Sequence, residues 1–282
     1  MLLLVLVSLL WAFSFGLTKG LTAGLDGTFV ATARLGLALL VFSPFLRLRG
    51  LAPRTAFALT GIGAVQFGFM YLAYNASFHY LPAYQVALFT ITTPILVTLL
   101  ADALDRTLQW RALGAALLAV FGTGLVVFQA GAPVGTFTGF ALVQFANLTF
   151  AIGQVAYQRL RAQQPTLRDR DIFGLLYAGA FAVALIALGL RGDISVTLTT
   201  KSLLTLVYLG VIASGLGFFL WNKGATRVNA GTLAVMNNAK VPLAVVCSLL
   251  FFGESANLPR LVLSIIILAA AVWLAEKRKT VT

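Results

Sequence analysis

The chain has 282 residues, 60% hydrophobic and only 10% charged, with mean hydropathy +0.96 and net charge +12. Soluble domains carry about 25% charged residues, so the composition excludes a soluble globular protein. It implies an all-α integral membrane protein instead. A positive excess of this size would point a soluble chain toward nucleic acid, but its distribution here has another cause, and no nucleic-acid partner is expected.

Apolar stretches of about 20 residues, each able to cross a hydrocarbon core of about 30 Å as a helix, recur from end to end. Ten transmembrane helices are expected, at 2–20, 28–46, 56–78, 83–101, 109–128, 135–158, 171–190, 202–222, 230–252 and 258–275. The first, MLLLVLVSLLWAFSFG, looks like a signal-peptide core but lacks a basic leader and is followed by nine more. Gly16, Gly20 and Gly24 allow another helix to approach it closely.

The second span carries Arg34 in its non-cytoplasmic half. It either snorkels to the interface or serves as a second anion contact or gate. The third holds Tyr71, Tyr74, Asn75 and His79, of which Tyr71, Asn75 and His79 share a face by i, i+4 spacing. The fourth adds Tyr84, Gln85, Phe89 and Thr92, then Pro94. Gln144, Asn147 and Gln154 follow in the sixth, and Trp221 and Asn222 close the eighth. Stripes that mix amides with aromatic rings are expected to face the bundle interior. There they could stack an apolar or aromatic group while the amides bind a polar head.

The ninth span contains AVMNNAKVPL, residues 234–243. Lys240 falls near its middle, where a charge costs about 2.5–3.5 kcal/mol on insertion scales. All eight acids (Asp26, Asp102, Asp105, Asp169, Asp171, Asp193, Glu254 and Glu276) sit in loops or at span ends. Lys240 therefore caps carbonyls near Pro242, is neutral, faces a wet cavity, or meets the anion of a substrate. Without a midplane acid, a carboxylate-driven antiporter is disfavoured. A uniporter or exchanger is expected, or a proton-linked carrier using His79.

Pro242 and Pro94 leave the carbonyls of Asn238 and Thr90 without their helical donors, and a freed carbonyl in lipid must find another. Asn237 and Asn238 stand beside the first of these sites. Pro94 and Pro242 are candidate helix breaks, a pair of broken or kinked helices lining a binding site, and the bland reading of each is an ordinary membrane-helix kink.

Fourteen basic residues (Arg47, Arg49, Arg54, Arg106, Arg111, Arg159, Arg161, Arg168, Arg170, Lys223, Arg227, Lys277, Arg278 and Lys279) fall on one side if the spans alternate. Lys19, Arg191, Lys201 and Arg260 fall on the other. The positive-inside rule then places both termini in the cytoplasm. Cys247 is the only cysteine, so neither a disulfide framework nor a cysteine metal cluster is available, and no metal or other cofactor is expected. Sequons at Asn75 and Asn147 lie within predicted spans and are chance matches. No Walker loop or catalytic triad is present, so an enzyme is not expected.

Laying 74–105 on 221–254 places Tyr74-Asn75 on Trp221-Asn222, Ala83 on Ala230 and, after small gaps, Pro94 on Pro242. Two halves, 1–130 and 131–282, would each hold five spans, and an odd number forces the second to enter from the opposite face. Such inverted repeats bind substrate at the midplane. The ten-span pattern, together with LLWAFSFGLTKGL, ATARLGLALLVFSP and the P...LLFFGE close of the ninth span, resembles the EamA-type branch of the drug/metabolite transporter superfamily. The first half departs from the family at LLADALD, so the Gly-Glu element stands only at Gly253-Glu254.

The resemblance implies an inner-membrane carrier, often an exporter of amino acids or related metabolites, with a central cavity between the halves. It also makes Trp11 a cavity candidate. Export of an aromatic or other amphipathic amino acid by alternating access is the expectation. Lys240 would hold the carboxylate, Asn237, Asn238 and Asn75 the polar head, and Tyr74, Tyr84, Phe89 and Trp221 the side chain. Gln85, His79, Gln144 and Asn147 complete the candidate set. Carriage of phosphorylated metabolites or nucleotide sugars, and export of cationic drugs, are the alternatives. The expected partners are a small-molecule substrate and the lipid bilayer, with the chain a monomer or weak homo-oligomer.

Overall fold

Caps and prolines set where the helices begin. In the computed structural model, which describes residues 1–22, 24–81, 83–127, 136–191, 196–251 and 257–276, Asp26 caps α2 (Gly27–Phe42) by accepting from the backbone N–H groups of Thr28 and Phe29 at 2.8 and 3.0 Å. α1 (Leu2–Thr22) precedes it. α3 (Pro53–Gly63) opens with proline in its first turn and runs through a π-helical stretch, Ala64–Phe69, into α4 (Met70–Ser77). α5 (Ala83–Thr90) stops before Pro94, and α6 (Thr93–Asp105) restarts with that proline in its first turn. α7 (Trp110–Val127), α8 (Phe137–Gln163) and α9 (Asp169–Leu190) follow. α10 (Thr200–Val207) starts at a capping box of Thr199 and Ser202 and passes through a second π stretch, Tyr208–Leu216, into α11 (Gly217–Ala225). α12 (Ala230–Phe251) and α13 (Leu258–Glu276) complete the chain.

No strand occurs among the described residues. Among the described residues seven helical stretches are long and apolar enough to cross a membrane: Gly27–Phe45, Pro53–Ser77, Leu88–Asp105, Phe137–Gln163, Asp169–Leu190, Thr200–Ala225 and Leu258–Glu276. Leu2–Ala12 and Trp110–Leu125 are shorter apolar helices. Phe57, Phe121, Ile186, Ile266 and Trp273 are more than half exposed on the outside, a surface suited to lipid rather than water.

Several sequence expectations lie outside the described residues: Asp193, Gly253, Glu254, Lys277, Arg278, Lys279 and the division at 130–131. So do the side chains of Phe13, Gly16, Lys19, Gly20, Tyr84 and Cys247. One expectation is corrected. Pro94 does break its helix, but α12 runs through Pro242 without interruption. A proline removes one backbone donor, and a helix of 22 residues packed on α1, α6, α7 and α13 tolerates that loss.

The core is shared by α1, α2, α8, α9, α11, α12 and the first π stretch. The closest approach is between α3 and α9. A Cβ added to Gly63 would sit 1.9 Å from the Leu176 carbonyl oxygen, and one added to Gly179 would sit 1.9 Å from that of Thr60. The two helices therefore touch backbone to backbone. Gly63→Val or Gly179→Val must push them apart, and each is expected to destabilise the fold by at least about 1–3 kcal/mol, measured as a lowered thermal midpoint of the purified protein in detergent.

Candidate functional site

Among the described residues the backbone leaves the α-helical ladder at the Pro94 break and at the two π stretches, and polar side chains gather at each. Beside the Pro94 break between α5 and α6, the carbonyls of Phe89 and Ile91 accept from side chains of other helices. The Phe89 carbonyl accepts from Gln144 Nε2 at 3.1 Å and Asn147 Nδ2 at 2.9 Å, both on α8. The Ile91 carbonyl accepts from Asn238 Nδ2 of α12 at 2.9 Å. Asn147 Nδ2 also donates to Thr92 Oγ1 at 3.1 Å, and Thr92 in turn donates to Gln144 Oε1 at 2.8 Å.

The π stretch at 208–216 offers its carbonyls to aromatic donors. Trp11 Nε1 of α1 donates to the Ala213 carbonyl at 2.9 Å, and the Tyr177 hydroxyl donates to those of Ser214 and Gly215 at 2.9 and 2.6 Å. The other π stretch supplies Gln66, which exchanges two hydrogen bonds with Asn222 of α11 at 2.9 and 3.0 Å. Beside it, Gln154 Oε1 accepts from Trp221 Nε1 at 3.1 Å and from Asn237 Nδ2 at 3.3 Å. These amides are fully or nearly fully buried and mutually satisfied.

The same elements enclose a cavity of about 110 Å³. α1 contributes Trp11, Ser14 and Thr18, α2 Arg34, and α4 Met70, Tyr71 and Tyr74. Thr90 and Thr93 flank the break, Asn147 and Phe150 come from α8, Phe218 from α11 and Lys240 from α12. Phe218 links the rings, stacking on Phe67 at 4.4 Å and meeting Trp11 edge-on at 5.2 Å.

Two cations face this space. The Arg34 guanidinium lies over the Tyr71 ring at 4.5 Å, and its Nε donates to Ser214 Oγ at 3.0 Å. Arg34 is 4% exposed and held inside, so it does not snorkel. Lys240 Nζ lies 5.4 Å from the Trp11 ring centre. Among the described residues neither cation meets a carboxylate, because the ion pairs are Arg159–Asp105, Arg161–Asp169, Arg170–Asp171 and Arg191–Asp26.

Of the residues expected from the sequence, Trp11, Arg34, Tyr74, Asn147 and Lys240 line the cavity. Asn237, Asn238 and Gln144 are occupied by the protein's own groups, and Trp221 packs on Trp11 at 5.0 Å behind the wall. Phe89 meets Phe140 edge-on at 5.0 Å, away from the cavity, and Gln85 is buried outside it. Of the stripe Tyr71, Asn75 and His79, the first two point toward α2, and only Tyr71 reaches the cavity. Asn75 donates to the Gly27 carbonyl at 2.7 Å, and His79 lies exposed beyond the end of α4. Ser14, Thr18, Phe150 and Phe218 were missed. Trp11, Ser14 and Thr18 follow helical spacing along one face, a signal that was present in the sequence.

The EamA-like transporter family matches residues 1–128 and 137–275. The chain belongs to that family. It is thus an integral membrane transporter of a small molecule and not an enzyme. Relatives of this chain are named for a substrate class other than the expected one. A biotin transporter of Escherichia coli is 40% identical over 98% of this chain and 93% of its own length. A probable biotin transporter of Pseudomonas aeruginosa is 44% identical over 96% and 95%, and a Salmonella typhimurium biotin transporter 39% identical over 98% and 93%. A crystal structure 18% identical to this chain superposes with TM-score 0.77 over 97% of the chain and 96% of its own, a likeness of fold alone.

These names overturn the expectation of amino-acid export, and neither alternative, phosphorylated metabolites or cationic drugs, gains support from them. The error has a physical origin: Lys240 calls for an anion, but a carboxylate is common to amino acids and to biotin.

The amides at the break have a structural role that can be measured. Asn238→Leu removes the donor to the Ile91 carbonyl. It is expected to cost about 1–3 kcal/mol, read as a lower thermal midpoint of the purified protein in detergent without ligand.

Proposed function

We propose that this chain carries biotin across a bacterial-type inner membrane by alternating access, with both termini cytoplasmic. The observation that carries the reading is the Lys240 ammonium. It lies in an aromatic cavity, over the Trp11 ring and without a described carboxylate, in a chain whose near-full-length relatives are named biotin transporters. Biotin combines a terminal carboxylate, an apolar chain and a bicyclic head. Its anion supplies the counter-charge that Lys240 lacks, and the rings of Trp11, Phe150 and Phe218 offer apolar walls to the rest. Arg34 is held by Ser214 and the Tyr71 ring, so it raises the positive potential of the site, while Lys240 remains the group that binds the anion.

Ten spans arranged as two inverted five-helix repeats, 1–130 and 131–282, form the framework of this reading. Three observations support it. The family matches in two stretches, one per half. The packing also exchanges between halves: α1 lies against α11 and α12, and α8 against α4 and α6. Finally, the offset that lays Tyr74 on Trp221 carries the π stretch at 64–69 onto 211–216, inside the second π stretch. With no carboxylate among the described cavity residues, uniport or exchange is the proposed coupling.

The test is counterflow of labelled biotin in proteoliposomes, paired with thermal unfolding of the purified protein with and without biotin. Loss of a charge-assisted hydrogen bond in Lys240→Ala is expected to weaken biotin binding about 10- to 100-fold. The ligand-free fold should be at least as stable, because an uncompensated charge has been removed. Wild-type counterflow in Lys240→Ala would take the lysine out of the site, and absence of biotin counterflow in the parent protein would take biotin out of it.

A further inference from the structure

Among the described residues, the cavity-lining side chains of Lys240, Tyr74 and Asn147 each present a polar atom with no hydrogen-bond partner in the protein. Their chemistry differs. Lys240 is a cationic donor, and Tyr74 a neutral hydroxyl. For Asn147 the orientation of the amide is fixed by its surroundings. Its Nδ2 lies 2.9 Å from the Phe89 carbonyl, which can only accept, so that end must be the NH₂ group. A second bond from the same nitrogen to Thr92 Oγ1 at 3.1 Å uses its other proton. The oxygen Oδ1 is left as a pure acceptor on a side chain that is 5% exposed and lines the cavity. Tyr74 is held by an edge-on contact with Phe78 at 5.2 Å and 89°.

We infer that Asn147 and Tyr74 read the ureido head of the substrate. Asn147 Oδ1 accepts from one ureido N–H, and the Tyr74 hydroxyl donates to the ureido carbonyl, while the carboxylate lies at Lys240. This inference rests on the biotin reading above. A ureido group is planar and carries N–H donors on either side of its carbonyl, so an acceptor and a donor fixed in one cavity match it. A fatty or lipoyl carboxylate of similar length offers neither, and would leave both protein groups without a ligand partner. A site built to hydrogen-bond a substrate discriminates by that means. The segment beside Pro94 thereby acquires a role beyond bending a helix, since its Phe89 carbonyl sets which end of Asn147 faces the ligand.

The test uses the full chain in proteoliposomes, with labelled biotin counterflow competed by unlabelled biotin, by the two ureido N-methyl derivatives of biotin and by lipoic acid. At least one N-methyl derivative, and lipoic acid, are expected to compete at least about tenfold more weakly than biotin. Tyr74→Phe removes a hydroxyl without a protein partner, so its ligand-free thermal midpoint should match the parent, while its biotin affinity falls about five- to tenfold. In Asn147→Leu the preference for biotin over the weaker N-methyl derivative should disappear. If that variant fails to fold, the competition series on the parent protein still decides the matter. Equal competition by both N-methyl derivatives, or unchanged biotin affinity in Tyr74→Phe, overturns the inference and leaves biotin carriage intact. Failure of biotin itself to exchange overturns the biotin reading, and this inference with it.

Discussion

A carbonyl in hydrocarbon must have a donor, and among the described residues that rule is met by side chains from other helices at the Pro94 break and at the second π stretch. At the Pro94 break the donors are Gln144, Asn147 and Asn238, and at the second π stretch they are Trp11 and Tyr177. Each of these side chains comes from another helix. The irregular backbone therefore fixes the relative positions of α1, α5, α8, α9, α11 and α12, and the cavity lies where those fixed positions converge. π stretches are uncommon and recur at functional sites; here they supply Ser214, which holds Arg34, and carbonyls that hold the indole of Trp11.

The second determinant is charge. Both cations of the cavity keep aromatic neighbours, and neither has a described acid. They are not equivalent. Arg34 presents a planar fork that Ser214, Thr18 and the Tyr71 ring already engage, whereas Lys240 is a compact charge on a flexible stem. The first behaves as part of the wall and the second as a group that can follow a ligand.

Much of this was legible in the sequence. Helical segments declared themselves through apolar length, and the lysine in AVMNNAKVPL, with every acid of the sequence in a loop or at a span end, offered a wet cavity or a substrate anion as its surroundings. Pro94 foretold its break. What could not be read was where amides would spend their hydrogen bonds. Asn237 and Asn238 stand beside Lys240 in sequence, yet they face Gln154 and the Ile91 carbonyl, partners 83 and 147 residues away. Nor did any residue pattern announce the π stretches, since their hydrogen-bond shift depends on helices packed from elsewhere. Substrate identity was illegible for a simpler reason: a cation specifies the sign of its guest and little of the remaining shape.

The contacts of Gly63 with Leu176 and of Gly179 with Thr60 have a mechanical consequence. Side chains that interlock across a seam must unlock, rotamer by rotamer, before two bodies can tilt. Where main chain rests on main chain there are no rotamers to reset, and a small rotation exchanges one smooth contact for another. Because each glycine lets its helix rest on the main chain of the other, Gly63 of α3 on Leu176 and Gly179 of α9 on Thr60, this spot has the smooth surface that a fulcrum requires.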